Sequence, residues 1–404
     1  MARSLGLLVT ASIILGLSSV SPLHAQMSDH VVKIGVLNDQ SGPYADLAGP
    51  GAVIATQMAA EDFGGAVLGA KIEVVAADHQ NKPDVGSGIV RRWIDEQKVD
   101  AVIDVPTSSV AMAVQEVLRQ KERVFLISGA ASEALSGKAC SPFAIQTSDD
   151  TYALTVGTTK AIVENGGDTW FFLTADYVFG HLIEAQSRKL IESMGGKVLG
   201  AVRHPQNTAD FANFLLHAKQ SGAKVLGLAN AGNDTINAIR QAGEFGLLSD
   251  GQQMAGLILF SSDIKALGLS AAQGLMLTES FYWDMNDAAR EFSMRFQKRF
   301  GGKMPTREQA TAYATALHYL KAIKAAGTDK ADVVVKTMKS MPMEFFGATG
   351  TIRPDGRFVH DLTLYQVKSP AESKSEWDLY KPLRTIKGET AFVPLEKSEC
   401  PLVK

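Results

Sequence analysis

The sequence holds residues capable of catalysis, but their spacing matches none of the common catalytic motifs. Ser108, Asp176 and His181 can be combined on paper into a triad, yet such a trio occurs by chance in any chain of 404 residues. No G-x-S-x-G elbow, H-E-x-x-H pair, G-x-x-x-x-G-K-[ST] phosphate loop or G-x-G-x-x-G dinucleotide loop is present. Two cysteines and eight scattered histidines form no close pairs of metal ligands. We therefore expect no enzyme, no metal and no cofactor.

Two polar turns at predicted strand ends are better suited to binding an anion. Predicted strand 101–105 runs into a Pro-Thr-Ser-Ser turn before a helix, and strand 124–127 runs into Ser-Gly-Ala-Ala-Ser. Hydroxyls and backbone N–H groups at a helix start suit a carboxylate, and small side chains let backbone amides approach it. Helix capping explains either turn alone, but two such turns on neighbouring strands favour a shared anion site. Its candidate residues are Thr107, Ser108, Ala130 and Ser132.

Amide and aromatic residues fall near other predicted strand ends. Asn230 and Asn233 follow strand 225–229, where they either bind a ligand hydroxyl or carbonyl or cap the next helix. Aromatic side chains near the strand ends and lobe crossings would offer flat apolar walls to a ring, although core packing also explains each one. The aromatic candidates are Tyr44, Tyr177, Phe179 and Tyr282.

The elements that must position these residues are short apolar runs alternating with helical segments. This pattern is typical of parallel sheets with crossover helices, so the fold class is α/β. A series over residues 31–145 predicts one sheet, and a new series over 151–260 predicts a second of similar build. Two doubly wound lobes joined by several crossings place a cleft between the carboxyl edges of their sheets. We expect the functional residues to meet there.

Length and composition agree with a two-lobed globular protein. A domain usually holds about 150 residues, and we assign 29–148 with 282–355 to lobe 1 and 149–281 with 356–367 to lobe 2. Residues 368–404 are expected to wrap back onto lobe 1 as an irregular tail. With 40 basic and 43 acidic residues and no long basic block, nucleic acid and anionic lipid are poor partners. We expect a monomer.

The N-terminus and the cysteines indicate export. Arg3 is the only basic residue among the first 25, an apolar run follows it over 5–20, and Ala25 suits signal peptidase cleavage. The run is too short to hold a stable membrane span, so a periplasmic product is expected. An even cysteine count in an oxidising compartment suggests one disulfide between Cys140 and Cys400, and two unrelated buried thiols are the alternative.

Four stretches in a fixed order carry a family resemblance. They are Lys-Ile-Gly-Val-Leu at 33–37, Ser-Gly-Pro at 41–43, the turn 127–132 and Ala-Asp-Tyr-Val-Phe-Gly at 175–180. They resemble periplasmic solute-binding proteins of the branched-chain amino acid (Leu/Ile/Val) type of ABC transporter. The resemblance implies a type I periplasmic binding fold, with two lobes joined by a multi-strand hinge that close on a small solute and deliver it to a membrane permease.

The same resemblance implies roles for the candidate site residues. The first lobe would hold a ligand carboxylate through the hydroxyl of Thr107 or Ser108 and the backbone at 130–132. Phe179 would face the ligand from the second lobe, just before the glycine of its motif.

The resemblance also bears on the ligand. Amino acid binders of this family pair the ligand ammonium with an acid after a later strand, but the corresponding stretch 256–260 is Gly-Leu-Ile-Leu-Phe. This indicates a carboxylic acid without an α-ammonium, unless Asp234 or Asp263 supplies the partner. Stretches 229–234 and 281–284 resemble those of binders of lignin-derived aromatic acids, so we expect an aromatic acid. The alternatives are a branched-chain or other amino acid or amide, and a ligand-sensing partner of a membrane receptor.

Overall fold

The computed structural model describes residues 27–247 and 251–403. The predicted signal peptide, residues 1–25, lies outside the described residues. Over the part of the chain that is described, no helix combines the length and the apolar character that a bilayer span requires.

The first lobe is built on a six-stranded sheet whose central strands are short, fully buried apolar runs. Buried runs of this kind are typical of parallel strands covered on both faces. The strands are β1 (Val31–Asn38), β2 (Ala66–Val67), β3 (Ala70–Asp78), β4 (Ala101–Asp104), β5 (Val124–Ile127) and β6 (Ala144–Gln146). The helices between them are α1 (Gly49–Phe63), α2 (Pro83–Asp95) and α3 (Ser108–Gln120).

The second lobe repeats this plan on a four-stranded parallel sheet. Its strands are β7 (Thr169–Ala175), β8 (Lys197–His204), β9 (Val225–Ala229) and β10 (Gln253–Gly256). Its helices are α4 (Thr151–Leu154), α5 (Lys160–Glu164), α6 (Val178–Ser193), α7 (Ala212–Gln220), α8 (Asn233–Glu244), α9 (Ser261–Leu267) and α10 (Leu269–Ala272). A π-helical turn, Thr155–Thr159, joins α4 to α5.

The remaining chain forms two small antiparallel sheets and three longer helices. Its elements are β11 (Met276–Glu279), α11 (Asp287–Arg299), α12 (Arg307–Ala326), α13 (Ala331–Ser340), β12 (Met343–Phe345), β13 (Ala348–Ile352), β14 (Phe358–Val359), β15 (Leu362–Val367), β16 (Tyr380–Ile386) and α14 (Gly388–Ala391). Helices α11, α12 and α13 pack with α1 against the first sheet, and α2 and α3 pack on its other face. The sheet is therefore doubly wound.

Strand order places the switch points of both sheets at one cleft. The first sheet has the order β2-β3-β1-β4-β5-β6, so the winding reverses between β1 and β4. The second has the order β10-β9-β7-β8, so it reverses between β7 and β9. In open α/β sheets, ligands bind outside the carboxyl ends of the strands at such reversals.

Buried charges connect the segments that cross between the lobes. Arg357 Nη2 lies 3.0 Å from Asp150 Oδ2, and its Nη1 donates to the Ser148 carbonyl at 2.6 Å. Arg307 Nη1 lies 2.9 Å from Asp149 Oδ2, which also accepts a hydrogen bond from the Ser280 amide at 3.0 Å. The crossing after β6, the crossing after β11 and the turn just before β14 thus share one hydrogen-bonded cluster, which we call the hinge cluster.

The tail differs from the irregular chain expected from its prolines. Strand β16 pairs with β15, with Pro382 within its length. Proline is tolerated there because β16 is an edge strand. The ring centroid of Tyr380 lies 4.7 Å from that of Tyr282, so aromatic packing holds this segment to the body of the protein. Beyond it, Cys400 forms the predicted disulfide with Cys140, with an S–S distance of 2.01 Å.

Replacing both cysteines by serine should lower the free energy of unfolding by up to about 5 kcal/mol, because the disulfide closes a very long loop. Urea unfolding followed by circular dichroism measures the loss. Intact mass after alkylation of the native, unreduced protein provides the direct check: two alkylated thiols would contradict the disulfide.

Replacing Arg357 by Met should cost about 3–5 kcal/mol of unfolding free energy, because Asp150 is left buried without its counter-charge. Arg384→Met is a matched control, since Arg384 pairs with Glu164 at 2.8 Å on the exposed surface and such pairs contribute less than about 1 kcal/mol. Equal losses in urea unfolding would show that the hinge cluster is not a special source of stability.

Candidate ligand-binding site

A narrow cavity of about 20 Å³ lies between the lobes at both switch points. Both lobes supply its walls, which are mainly aromatic or small and include one carboxyl among the described residues. The lining residues are Tyr44, Leu47, Pro106, Gly129, Ala131, Tyr177, Phe179, Ala231, Ile258, Phe260 and Glu308.

The turn after β4 is strained and its hydroxyls are buried. Asp104 and Val105 have φ of 84° and 56°, a left-handed conformation that such residues seldom adopt and that is often found at functional sites. Thr107 Oγ1 donates to Asn81 Oδ1, so this hydroxyl already has a partner. Ser108 Oγ, at the first residue of α3, is buried and has no hydrogen-bond partner in the described structure.

The turn after β5 packs directly against the β4 turn. A Cβ on Gly129 would lie 2.6 Å from Asp104 Oδ1 and 2.9 Å from Pro106 Cα, so only glycine permits this approach. The Ala130 carbonyl accepts hydrogen bonds from Gln146 Nε2 at 3.1 Å and from Ser148 Oγ at 2.5 Å. The structure therefore fixes the turn to the crossing segment and brings its small residues to the cavity.

Ser132, at the end of the same turn, is fully buried and does not line the cavity. Its Oγ, like that of Ser108, lacks a hydrogen-bond partner among the residues described.

Aromatic side chains from opposite lobes meet across the cavity. Tyr44 and Tyr177 share a hydrogen bond of 2.8 Å between their hydroxyls, and Gln206 Nε2 donates to Tyr44 Oη at 3.2 Å. Phe179 lies beside Tyr177, with ring centroids 6.0 Å apart. Burial raises the pKa of Tyr44, so its phenol stays protonated. The structure thus brings three of the four predicted aromatic residues into one wall.

Hydrogen bonds to the Asp39 carboxylate hold the loop that carries Tyr44. Its carboxylate accepts hydrogen bonds from the Gly42 amide at 2.7 Å, the Tyr44 amide at 2.9 Å and Asn81 Nδ2 at 2.7 Å. Beyond the loop, the Asn233 amide donates to the Pro43 carbonyl at 3.3 Å, which is a further bond between the lobes. We call these two interlobe bonds, Tyr44–Tyr177 and Asn233–Pro43, the clasp.

The predicted anion-binding residues Thr107, Ser108, Ala130 and Ser132 are not among the residues that line the cavity. Three further candidates predicted from the sequence, Asn230, Asn233 and Tyr282, also lie elsewhere. Asn230 is buried in the second lobe, where it bonds His204 Nε2 at 3.0 Å and accepts from Thr235 Oγ1 at 2.7 Å. The Asn233 side chain is exposed, and only its backbone takes part in the clasp. Tyr282 Oη donates to the Trp377 carbonyl at 2.6 Å, between the segment after β11 and the segment before β16. The structure brings none of the three side chains to the cavity wall.

The two acids considered as ammonium partners are also engaged elsewhere. Asp234 accepts from the Asn207 and Thr208 amides at 3.0 and 2.8 Å. Asp263 accepts from the Phe260 amide at 3.0 Å at the start of α9. Burial raises the pKa of Asp234 to about 6 and that of Asp263 to about 7. Neither lines the cavity.

Glu308 is the residue that sequence reasoning missed. A capping box between Thr306 and Gln309 starts α12, and Glu308 lies in its first turn with 5% of its surface exposed. Its Oε2 has no hydrogen-bond partner in the described part of the chain. Burial, and next the nearby carboxyl of Asp104, raise the pKa of Glu308 well above its ordinary value. In the sequence, an acid in a first helical turn indicates only a favourable interaction with the helix dipole.

Comparison with known proteins places this geometry in context. A family model described as periplasmic binding protein matches residues 31–374. A periplasmic binding protein from Burkholderia mallei is 44% identical, with a TM-score of 0.91 over 93% of this chain and 100% of that one. A branched-chain amino acid ABC transporter periplasmic ligand-binding protein from Burkholderia xenovorans LB400 is 39% identical, with a TM-score of 0.82 over 92% and 100%.

A third solved structure is more distant. It is a solute-binding protein of an ABC transporter from Rhodopseudomonas palustris HaA2, in complex with p-hydroxybenzoic acid. It is 24% identical, with a TM-score of 0.80 over 89% of this chain and 97% of that one. At this identity the likeness is one of fold.

Replacing Tyr44 by Phe should shift the protein toward an open arrangement of its lobes. Phe lacks the hydroxyl that bonds Tyr177 and Gln206. Loss of these two interlobe hydrogen bonds removes about 2 kcal/mol from the closed state, a change of about thirtyfold in the open-to-closed ratio. Small-angle scattering should show a larger radius of gyration. Tyr313→Phe is the control, because its hydroxyl bonds Asp62 at 2.7 Å on the surface. Identical scattering from both variants would contradict a role for the clasp.

Proposed function

The chain belongs to the periplasmic binding protein family, and we propose that it captures a small carboxylic acid between its lobes and delivers it to the permease of an ABC transporter. Members of this family bind solutes for transport and are not enzymes, which agrees with the lack of catalytic motifs in the sequence. The two relatives named for ABC transporters support the permease as partner.

The interlobe cavity is the single observation that carries this proposal. Both lobes line it at their switch points, and the clasp holds them together beside it. A solute bound there touches both lobes only when they are closed. Its binding energy therefore favours the closed state, which is the differential contact that closure requires.

The floor of the cavity on the first lobe suits a carboxylate. Pro106, Gly129 and Ala131 belong to the adjoining turns after β4 and β5 and line the cavity, with no bulky side chain on Gly129 or Ala131. The hydroxyl of Ser108 lies at the start of α3, where backbone N–H groups and the helix dipole favour an anion. No lysine or arginine is among the described lining residues, so neutral donors are expected to hold the carboxylate.

The remaining walls suit a flat apolar body. Tyr44, Tyr177, Phe179 and Phe260 surround the cavity from both lobes, and such rings stack on or edge against an aromatic ligand. An aromatic acid is therefore the ligand we propose. The Rhodopseudomonas palustris protein in complex with p-hydroxybenzoic acid supports the view that this fold accommodates a ligand of this size.

An amino acid is the second candidate, and Glu308 favours it. The sequence-based argument against an α-ammonium rested on the lack of an acid at 256–260, but Glu308 reaches the cavity from α12. An ionised Glu308 would offer an ammonium the partner that Asp234 and Asp263 do not. The 39% identical relative is named for branched-chain amino acids. No contact among the described residues favours the other alternative, a ligand-sensing partner of a membrane receptor.

A panel of ligands tests the proposal. Benzoate, 4-hydroxybenzoate, cinnamate and phenylpyruvate are expected to raise the melting temperature and to bind with dissociation constants of about 1 μM or below, which corresponds to about −8 kcal/mol. Leucine, isoleucine and valine are expected to bind at least a hundredfold more weakly. Thermal shift followed by calorimetry measures both sets. Sub-micromolar binding of a branched-chain amino acid with no response to the aromatic acids would select the second candidate.

A further inference from the structure

We propose that Glu308 acts in the cavity as a protonated acid and donates its proton in a hydrogen bond to the carboxylate of the ligand. This inference rests on the proposed function, because it assigns to one side chain the recognition of the carboxylic acid. It also selects between the two candidate ligand classes, since a proton donor recognises an anion and an ionised acid recognises an ammonium.

The position of Glu308 supports this role. Its side chain lines the same small cavity as Gly129, Ala131 and Pro106, the residues of the turns proposed to receive the carboxylate. It is 95% buried, since only 5% of its surface is exposed, and its Oε2 has no hydrogen-bond partner among the described residues. A buried polar atom without a partner is costly. A ligand atom that bonds Oε2 removes this cost, so the site gains more from such a ligand than from an apolar one.

The groups around Glu308 favour its neutral form. Asp104 on β4, Asp263 on α9 and Asp149 in the hinge cluster face it, and all three raise its pKa. Arg307 acts in the opposite direction, but it pairs with Asp149 at 2.9 Å and lies 4.7 Å over the Phe260 ring. Burial is the largest effect and raises the pKa of Glu308 further. Burial and these acids therefore favour the protonated form of Glu308, which has a proton to donate.

Tyr177, in the second lobe, interacts electrostatically with Glu308. Burial is the main reason that its pKa lies well above the ordinary value, and Glu308 is one of the nearby acids that contribute. The cavity is thus bordered by two phenols and by one acid whose pKa is raised.

At this place, protonated Glu308 binds a ligand carboxylate more favourably than ionised Glu308 would bind a ligand ammonium. An O–H···O⁻ bond is short and charge-assisted, and it forms without creating a new buried charge on Glu308. An ammonium would require Glu308 to ionise beside Asp104. The desolvation of both ions would then offset much of their attraction. The proton stays shared between Glu308 and the ligand, and none is released.

The sign of the pH dependence follows from this bond. The protein binds the carboxylate when Glu308 is protonated, and the bound ligand raises the pKa of Glu308 further. The affinity is therefore constant below the pKa of Glu308 in the free protein and falls about tenfold per pH unit above it. An ammonium partner gives the opposite trend, because ionisation of Glu308 would then favour binding.

Calorimetry with benzoate between pH 5.5 and 9 tests the inference on the full-length exported protein. In the wild type the affinity should fall on the alkaline side. Glu308→Gln keeps an N–H donor but cannot titrate, so its affinity should stay within about tenfold of the wild type at low pH and should not change with pH. Glu308→Leu removes the donor and should bind about tenfold to a hundredfold more weakly.

A matched control separates Glu308 from other buried acids. Burial raises the pKa of Asp100 to about 6, but Asp100 binds the Lys33 amide at 2.8 Å and does not line the cavity. Asp100→Asn should keep the wild-type pH profile for benzoate. Melting temperatures of the ligand-free variants identify any variant that fails to fold. If Glu308→Leu fails to fold, the pH profile of the conservative variant Glu308→Gln decides the test.

The outcomes distinguish the inference from the proposed function. Benzoate binding that is independent of pH and unchanged in the Gln and Leu variants would overturn the role of Glu308 and leave the proposed function intact. Failure of the wild type to bind any aromatic acid would overturn the proposed function itself. Tight leucine binding that strengthens with pH and is lost in Glu308→Gln would overturn both and make Glu308 the ammonium partner.

Discussion

The hinge cluster is the constraint on which the rest of the structure depends. Arg307 and Arg357 are almost fully buried, and their partners Asp149 and Asp150 lie where the chain leaves the first lobe. Charges taken out of water are costly unless each is paired and hydrogen-bonded in good geometry. The crossings after β6 and β11 and the turn just before β14 therefore have to meet in one arrangement, and this arrangement sets how the two switch points face each other.

The hinge cluster and the cavity are connected through consecutive residues. Arg307 turns toward Asp149 in the hinge cluster, and Glu308 lines the cavity. The capping box of Thr306 and Gln309 fixes the helix start that carries both side chains. Pairing of the arginine thus positions the neighbouring acid, so the hinge and the recognition site are held by the same helical turn.

The proposed binding surface would rely on neutral donors. Basic side chains are absent from the described lining of the cavity, and the cationic Arg307 behind it is occupied by Asp149 and the Phe260 ring. Hydroxyls, backbone amides and protonated acids lose less hydration free energy on burial than ammonium or guanidinium groups do. A site of this type closes over a small anion without burying an unpaired cation when the ligand leaves.

The α/β class, the two doubly wound lobes and the disulfide could be predicted from the sequence, because alternating apolar periods, strand-end turns and an even cysteine count are local or countable signals. The sequence also indicated Tyr44, Tyr177 and Phe179, which follow strands whose carboxyl ends must meet. Only the tertiary structure decided that Glu308 enters the cavity from α12, more than 170 residues after the Gly129 turn that it faces. Likewise, β16 and its Tyr380 engage Tyr282 from the far end of the chain. A contact between distant segments leaves no local pattern in the sequence. An acid or a tyrosine in one segment gives no sign of the partner that the fold will bring to it.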